Sequence, residues 1–440
     1  MTTVVRGGTV VTPEGEHKAD VAIEDGRIAA IGGELPGDDD IDAHGLLVLP
    51  AVIDVHVHFN EPGRTDWEGA ASGSRALAAG GGAVFFDMPL NSTPCTVNGG
   101  EVDRKRAALE AASIADFGLW GGLVPGSVPE MAEMAGKGVV GFKAFMCDSG
   151  LPEFPRADDA TLLDGLREAA RLGLPVAVHA ESDAMVRQLA QQTTARTARA
   201  FLDSRPIAAE VEAIERALQL AAETGARLHI VHVSSGRGVV VAAEARARGV
   251  DVSIETCPHY LFFVDDDLER LGAVAKCAPP LRSKADQEAL WDEIEAGSVD
   301  IVASDHSPTT PAMKEGDLFA AWGGIAGVQS TLPVLFSSGY ARGLPLTRLA
   351  SLLAAAPARR FAIPHKGTIA VGYDADLVLF DPDERHTLRV SDLHHRHKTT
   401  PYLNATLRGR VRRTLRRGET IFLEGRITAQ EKGRFVCPTS

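Results

Sequence analysis

Val52-Ile-Asp-Val-His-Val-His-Phe59, followed at once by Asn60-Glu-Pro-Gly-Arg-Thr65, is the stretch on which the reading of the whole chain turns. Val52, Ile53, Val55, Val57 and Phe59 favour a strand, and Pro50 and Pro62-Gly63 bound the run. Alternate side chains of a strand share a face, which groups Asp54, His56 and His58. Two imidazoles at i and i+2 lie close enough to grip one metal ion, with Asp54 in support. An isolated His-x-His is more often a pair of solvated strand residues. Its meaning therefore depends on what the rest of the chain brings to it.

Outward from that stretch, short β-rich runs alternate with longer helical patterns. The runs are Val52–His58, Ala83–Met88, Asp116–Leu123, Val139–Phe145, Pro175–His179, Arg227–Val233, Val252–Thr256 and Asp300–Asp305. Between them, Glu68–Ala79, Asp158–Leu172, Ile207–Thr224 and Leu346–Ala355 are rich in Ala, Leu, Glu and Arg, as helices are. Eight strands alternating with helices predict an α/β fold, a (β/α)8 TIM-like barrel over residues 50–366. The flanks are β-rich instead. Val4–Val11 and Val21–Ile28, with Asp25-Gly26 as a hairpin turn, precede the barrel, and Ile369–Phe380 and Thr420–Arg426 follow it. Neither end has strands enough to bury a sheet face alone. Residues 1–49 and 367–440 are therefore expected to join in one small β-sandwich domain.

The 440 residues are 45% hydrophobic and 24% charged, the balance of a globular protein with a large core. A net charge of −14 argues against nucleic-acid and anionic-membrane partners. Cys95, Cys147, Cys257, Cys277 and Cys437 form an odd set without a Cys-x-x-Cys pair, which points to a reducing compartment. Met1–Arg6 carries no charged leader ahead of an apolar run, and no apolar segment is long enough to span a bilayer. A cytoplasmic location is the expectation.

Chemistry in such a barrel sits at the C-terminal ends of the strands. His56 and His58 end the first, Lys143 lies late in the fourth, and His179, His232 and Asp305 end the fifth, sixth and eighth. Any one of these alone could cap a helix or bond a carbonyl, but six on one mouth point to a metal cage. Imidazoles and a carboxylate suit zinc or another first-row divalent ion. Lys143, among Val139, Val140, Phe142 and Phe145, can lose its proton on burial. A neutral amine adds carbon dioxide to give a carbamate, a carboxylate that can bridge two metals. Strand parity sets His229 opposite His232 and so against a helix. His259 and His306 read as supporting groups, and His394-His-Arg-His397 as a solvated face. The constellation predicts hydrolysis of an amide-like C–N bond by a metal-bridging hydroxide, with Asp305 as general base and acid.

These residues resemble the cyclic amidohydrolases, a family that includes dihydroorotases, hydantoinases and allantoinases, over nearly the whole chain. The resemblance implies a binuclear centre held by His56, His58, carboxylated Lys143, His179, His232 and Asp305, in a symmetric homotetramer. Asn60 stands where dihydroorotases carry a carboxylate-gripping arginine, and Asp148 where hydantoinases carry a tyrosine. The runs Asn60–Gly69, Asp87–Ser92, Gly141–Met146, Ala321–Ser330 and Arg396–Tyr402 are similar to the allantoinase branch, which implies a cyclic ureide substrate opened to its acid. Asn60, Asn91, Asp148, Ser149, Gly323 and Gly324 are the candidate substrate contacts, and Arg64 is expected to brace the loop above the metals. The alternatives are a hydantoinase or dihydropyrimidinase on a related cyclic amide, and a non-catalytic homologue that keeps the barrel as a scaffold.

Overall fold

The computed structural model describes residues 1–439. Its first five strands, β1 (Thr3–Thr12), β2 (Gly15–Glu24), β3 (Arg27–Gly32), β4 (Asp39–Asp42) and β5 (Leu47–Pro50), precede the barrel. The barrel strands are β6 (Val52–Val57), β7 (Gly82–Asp87), β8 (Asp116–Gly122), β9 (Gly141–Phe145), β10 (Val176–His179), β11 (Leu228–Ile230), β12 (Val252–Thr256) and β13 (Ile301–Val302). Each pairs parallel with the next in chain order, as right-handed β-α-β units require. After the barrel come β14 (Leu377–Thr387), β15 (Thr406–Arg416), β16 (Glu419–Leu423) and β17 (Arg426–Ile427).

The two chain ends meet in one nine-stranded sheet, joined where β5 pairs antiparallel with β14. Val5, Val10, Val21, Ile23 and Val48 from the first end bury against Leu377, Leu379 and Leu415 from the second. Asp25 (φ 50°) and Gly26 (φ 78°) form the turn of the β2–β3 hairpin, both left-handed as a two-residue hairpin requires. Helices follow the sequence pattern closely. The helix predicted from Ile207 spans Ile207–Thr224, and Asp158 caps its helix by accepting from the Thr161 amide. The last predicted helix is α-helical only over Leu346–Ala350 and continues as a π-helical turn over Ser351–Ala355.

Strand periodicity divides the barrel into two buried layers. Leu228, Ile230, Val252 and Ile254 face the helices, whereas Ile53, Val55, Phe86, Trp120, Ala177 and Ile301 fill the barrel. In register across the inner side, Lys143 pairs with Ala177, Ala177 with His229, and His229 with Ser253. At this level β9, β11 and β12 therefore send polar groups inward, and β10 sends a methyl group.

A buried ionic cluster ties the barrel to the terminal sheet. Lys366 contacts Asp116 of β8 at 2.9 Å, Asp374 at 3.0 Å and Asp376 at 2.6 Å, and Arg417 also pairs with Asp116. Removing one partner of such a cluster strands buried charge. Lys366→Met should cost about 3–5 kcal/mol, read as a lower urea midpoint. Arg106→Ala, which breaks an exposed pair with Glu110, should cost under about 1 kcal/mol.

Candidate metal centre and active site

All six predicted donors converge at the C-terminal mouth of the barrel, and each is buried. His56 Nε2 and His58 Nε2 lie 3.2 Å and 3.6 Å from Asp305 Oδ1, a grouping that can hold a metal ion. Beside it, His179 Nδ1 faces His232 Nε2 at 3.0 Å. Lys143 Nζ, fully buried, has no hydrogen-bond partner among the described residues and lies 5.1 Å from the Phe145 ring. Burial lowers Lys143 to about 8 against the pull of Glu255 and Asp305, and it also lowers His58, His179 and His232, favouring neutral imidazoles. Burial alone would raise the Asp305 carboxyl, but His56 and His58 outweigh it and hold the group below its usual range. Neutral imidazoles, an ionised carboxylate and an orphaned amine fit a two-metal cage with a carboxylated lysine.

Two carboxylates that sequence reasoning passed over orient these ligands. Glu255 Oε1 is 2.8 Å from His56 Nδ1, and its Oε2 is 3.0 Å from His229 Nε2. Burial would raise Glu255, yet His56 and His229 hold it well below the carboxylate range. Glu181 Oε2 is 2.7 Å from His179 Nε2 and pairs with Arg205. That bond leaves His179 Nδ1 as the nitrogen turned to His232. A signal for Glu255 was present, an acid at an inward position of the strand Val252-Ser-Ile-Glu-Thr256.

Several expectations are corrected. Asp54 does not support the histidine rings; its Oδ1 accepts from the amides of Ser304 and His56. His229 is not packed against a helix but lies inside the barrel, 2.8 Å from Ser253 Oγ. Parity failed because β11 ends at Ile230 and His232 adopts φ 40°, which breaks the strand alternation. His394–His397 is not a solvated face: His395 is buried beside His306, and Arg396 donates its main-chain and side-chain N–H groups to Glu68. His306 accepts from the amides of Gly327 and Val328, whereas both His259 nitrogens lack partners among the described residues.

A cavity of about 570 Å³ opens above the donors. Asn91, Asp148, Ser149, Gly323 and Gly324 line it, whereas Asn60 does not. Asn60 is fully buried at φ 63°, donating from Nδ2 to the Pro308 carbonyl at 3.2 Å. Asn91 Nδ2 reaches Ser307 Oγ at 3.4 Å, and the Ser149 hydroxyl donates to the Phe154 carbonyl at 2.6 Å. Arg64 braces the loop as expected, paired with Glu153 at 2.5 Å and donating to the Asn91 carbonyl at 3.1 Å.

A parallel barrel that gathers imidazoles, a carboxylate and a desolvated lysine at its mouth defines a metal-dependent hydrolase frame. The amidohydrolase family model matches residues 47–421, and the chain belongs to that family. It is 62% identical to the allantoinase of Solibacter usitatus over 99% of this chain and 96% of that one. The allantoinase of Rubrobacter xylanophilus is 57% identical over 99% and 97%, and that of Deinococcus radiodurans 50% over 99% of each. Among solved structures, the L-hydantoinase (dihydropyrimidinase) from Arthrobacter aurescens superposes with a TM-score of 0.96 at 33% identity, covering 99% of both chains. A dihydropyrimidinase from Brevibacillus agri gives 0.92 at 31%, over 99% and 98%.

Glu255 is the group through which the ligands can be perturbed without removing one. Glu255→Gln should weaken metal retention about 10- to 100-fold. Metal content after dialysis against graded chelator checks this, and unchanged retention would assign Glu255 a packing role only.

Proposed function

We propose that the chain is an allantoinase, hydrolysing one ring amide of allantoin to give allantoate. The observation that carries the reaction class is the convergence of five donors and a partnerless buried lysine beneath one cavity. Near-full-length identity to allantoinases supports the substrate. In this reading His56, His58 and Asp305 would hold one divalent ion, zinc being the first choice, and His179 and His232 would hold a second. The Lys143 amine, on adding carbon dioxide and losing a proton, would supply a carbamate as a further ligand. Two metal ions there would supply water acidity near neutral pH and polarise the scissile carbonyl.

The protein's own residues do the rest. Asp305 takes one proton from the attacking water and returns it to the departing ring nitrogen as the C–N bond breaks, leaving an open ureide whose new carboxylic acid gives its remaining proton to solvent. Asn91 can both donate and accept toward a ureide, and Asp148, Ser149, Gly323 and Gly324 complete the wall around it. Asn60 acts from beneath the cavity, through the Pro308 carbonyl, and not by touching substrate. The reading includes a cytoplasmic homotetramer; no helix among the described residues is long and apolar enough to cross a membrane. A scaffold homologue has no physical need for a buried lysine among metal donors. The hydantoinase and dihydropyrimidinase alternative draws on the structural likeness to such enzymes.

Rates on allantoin, hydantoin, dihydrouracil and dihydroorotate with metal supplied decide between them. Allantoin should lead in kcat/KM by at least about tenfold; a lead for hydantoin or dihydrouracil would contradict the substrate assignment. Asp305→Asn should lower kcat by about 10²- to 10⁴-fold, and near-normal turnover with full metal content would remove its proton role.

A further inference from the structure

The outer wall of the cavity is a loop that packs two aromatic side chains, Phe319 against Phe201 and Trp322 against Trp67, and leaves much of its main chain to be fixed by other groups. Phe319, Ala320, Ala321, Trp322, Gly323 and Gly324 line the space above the donors, and most of their side chains are too small to anchor a backbone by burial. Gly324 sits at φ 130°, and a Cβ there would come within 2.3 Å of the Ser307 carbonyl oxygen. The loop thus presses main chain against the segment that carries Asp305, where no side chain fits. A loop anchored by so few side chains depends on main-chain hydrogen bonds for its order.

Two lysines from either side of the loop supply such bonds. Lys276 Nζ donates to the carbonyls of Ala321 at 2.5 Å and Phe319 at 3.4 Å. Lys314 Nζ donates to those of Trp322 at 3.0 Å and Gly324 at 2.5 Å. Four carbonyls in six residues are bound by two lysine amino groups, and the Lys276 carbonyl accepts in return from the Gly324 amide at 2.8 Å. Lys276 is buried and Lys314 half-buried, and their hydrogen-bond partners are these carbonyls rather than carboxylates. Each amino group donates to two carbonyls, and several such bonds fix a backbone more tightly than one.

We infer that Lys276 and Lys314 are positioning residues, a two-sided backbone clamp that holds residues 319–324 in the conformation that closes the cavity wall. Neither touches the reacting atoms. Their effect falls on how well a substrate is held, because the wall must be ordered before it can contact one. An unclamped loop would have to be ordered at the expense of substrate binding. The donors at the barrel mouth stand on strand ends, and neither lysine hydrogen-bonds to any of them. The clamp therefore separates binding from bond cleavage.

The clamp builds on the hydrolase reading above, but its main test does not need turnover. Lys314→Met and Lys276→Met are compared with wild type in the metal-loaded enzyme by backbone amide hydrogen exchange. Exchange over residues 316–324 should speed up at least about tenfold in each variant, which loses two hydrogen bonds to the loop, with metal content unchanged. On the best substrate found, KM should rise by a similar factor for Lys314→Met while kcat stays within about threefold. Lys314→Arg, which keeps a cation able to reach a carbonyl, should recover part of the KM. Unchanged exchange across the loop overturns the clamp, as does a fall in kcat with KM constant. Should Lys276→Met fail to fold, Lys314, which does not line the cavity, carries the test alone. A wild-type enzyme inactive on allantoin would refute the substrate assignment and leave the exchange result to judge the clamp.

Discussion

The desolvation of Lys143 is the constraint on which the rest of the site depends. Its amino group lies 5.1 Å from the Phe145 ring, with Ala177 in register across from Lys143 and no hydrogen-bond partner among the described residues. Left charged there, it would forfeit hydration without a hydrogen bond in exchange, and burial outweighs the pull of Glu255 and Asp305 and pushes it toward the neutral amine. A neutral amine is the form that reacts with carbon dioxide, and a carbamate is the form that binds metal. The surrounding groups are arranged consistently with that end: the imidazoles are lowered by burial, and Asp305 stays ionised through its histidine neighbours.

The barrel meets this constraint by giving its polar interior a connected set of partners. Glu255 joins His56 to His229 at 2.8 Å and 3.0 Å, and His229 is completed by Ser253 on the same strand as Glu255. On the other side Glu181 joins His179 to Arg205, with burial opposed by Arg205 and His179 so that the acid falls to about 2. Each buried acid thus stays ionised and fixes which ring nitrogen faces the cavity. The hydrocarbon layer beneath, Ile53, Val55, Phe86, Trp120 and Ile301, keeps water from reaching these groups from below.

Much of this was legible in the sequence, and the failures share a cause. The barrel followed from alternating element types, and the six donors from counting which polar residues end strands, because both depend on local periodicity. His229 was misassigned because periodicity was carried past the end of a three-residue strand, into His232 at φ 40°. Asn60 reads as a cavity residue from its place after His58, but its left-handed backbone turns it under the loop. His395 lies more than 300 residues from Glu68 in sequence, and nothing local says that they share a buried cluster. Glu255 and Glu181 were readable as acids in strands, but their partners were not, since those contacts cross from one strand to another.

Metal stoichiometry tests the central claim most directly. Purified wild-type protein, reconstituted with zinc in bicarbonate buffer and freed of excess metal, should hold about two ions per chain. Lys143→Ala should fold and yet hold about one or fewer, because the two ligand sets lose the group between them. A wild-type chain that never exceeds a small fraction of one ion, or a Lys143→Ala chain that still holds two, would contradict the account.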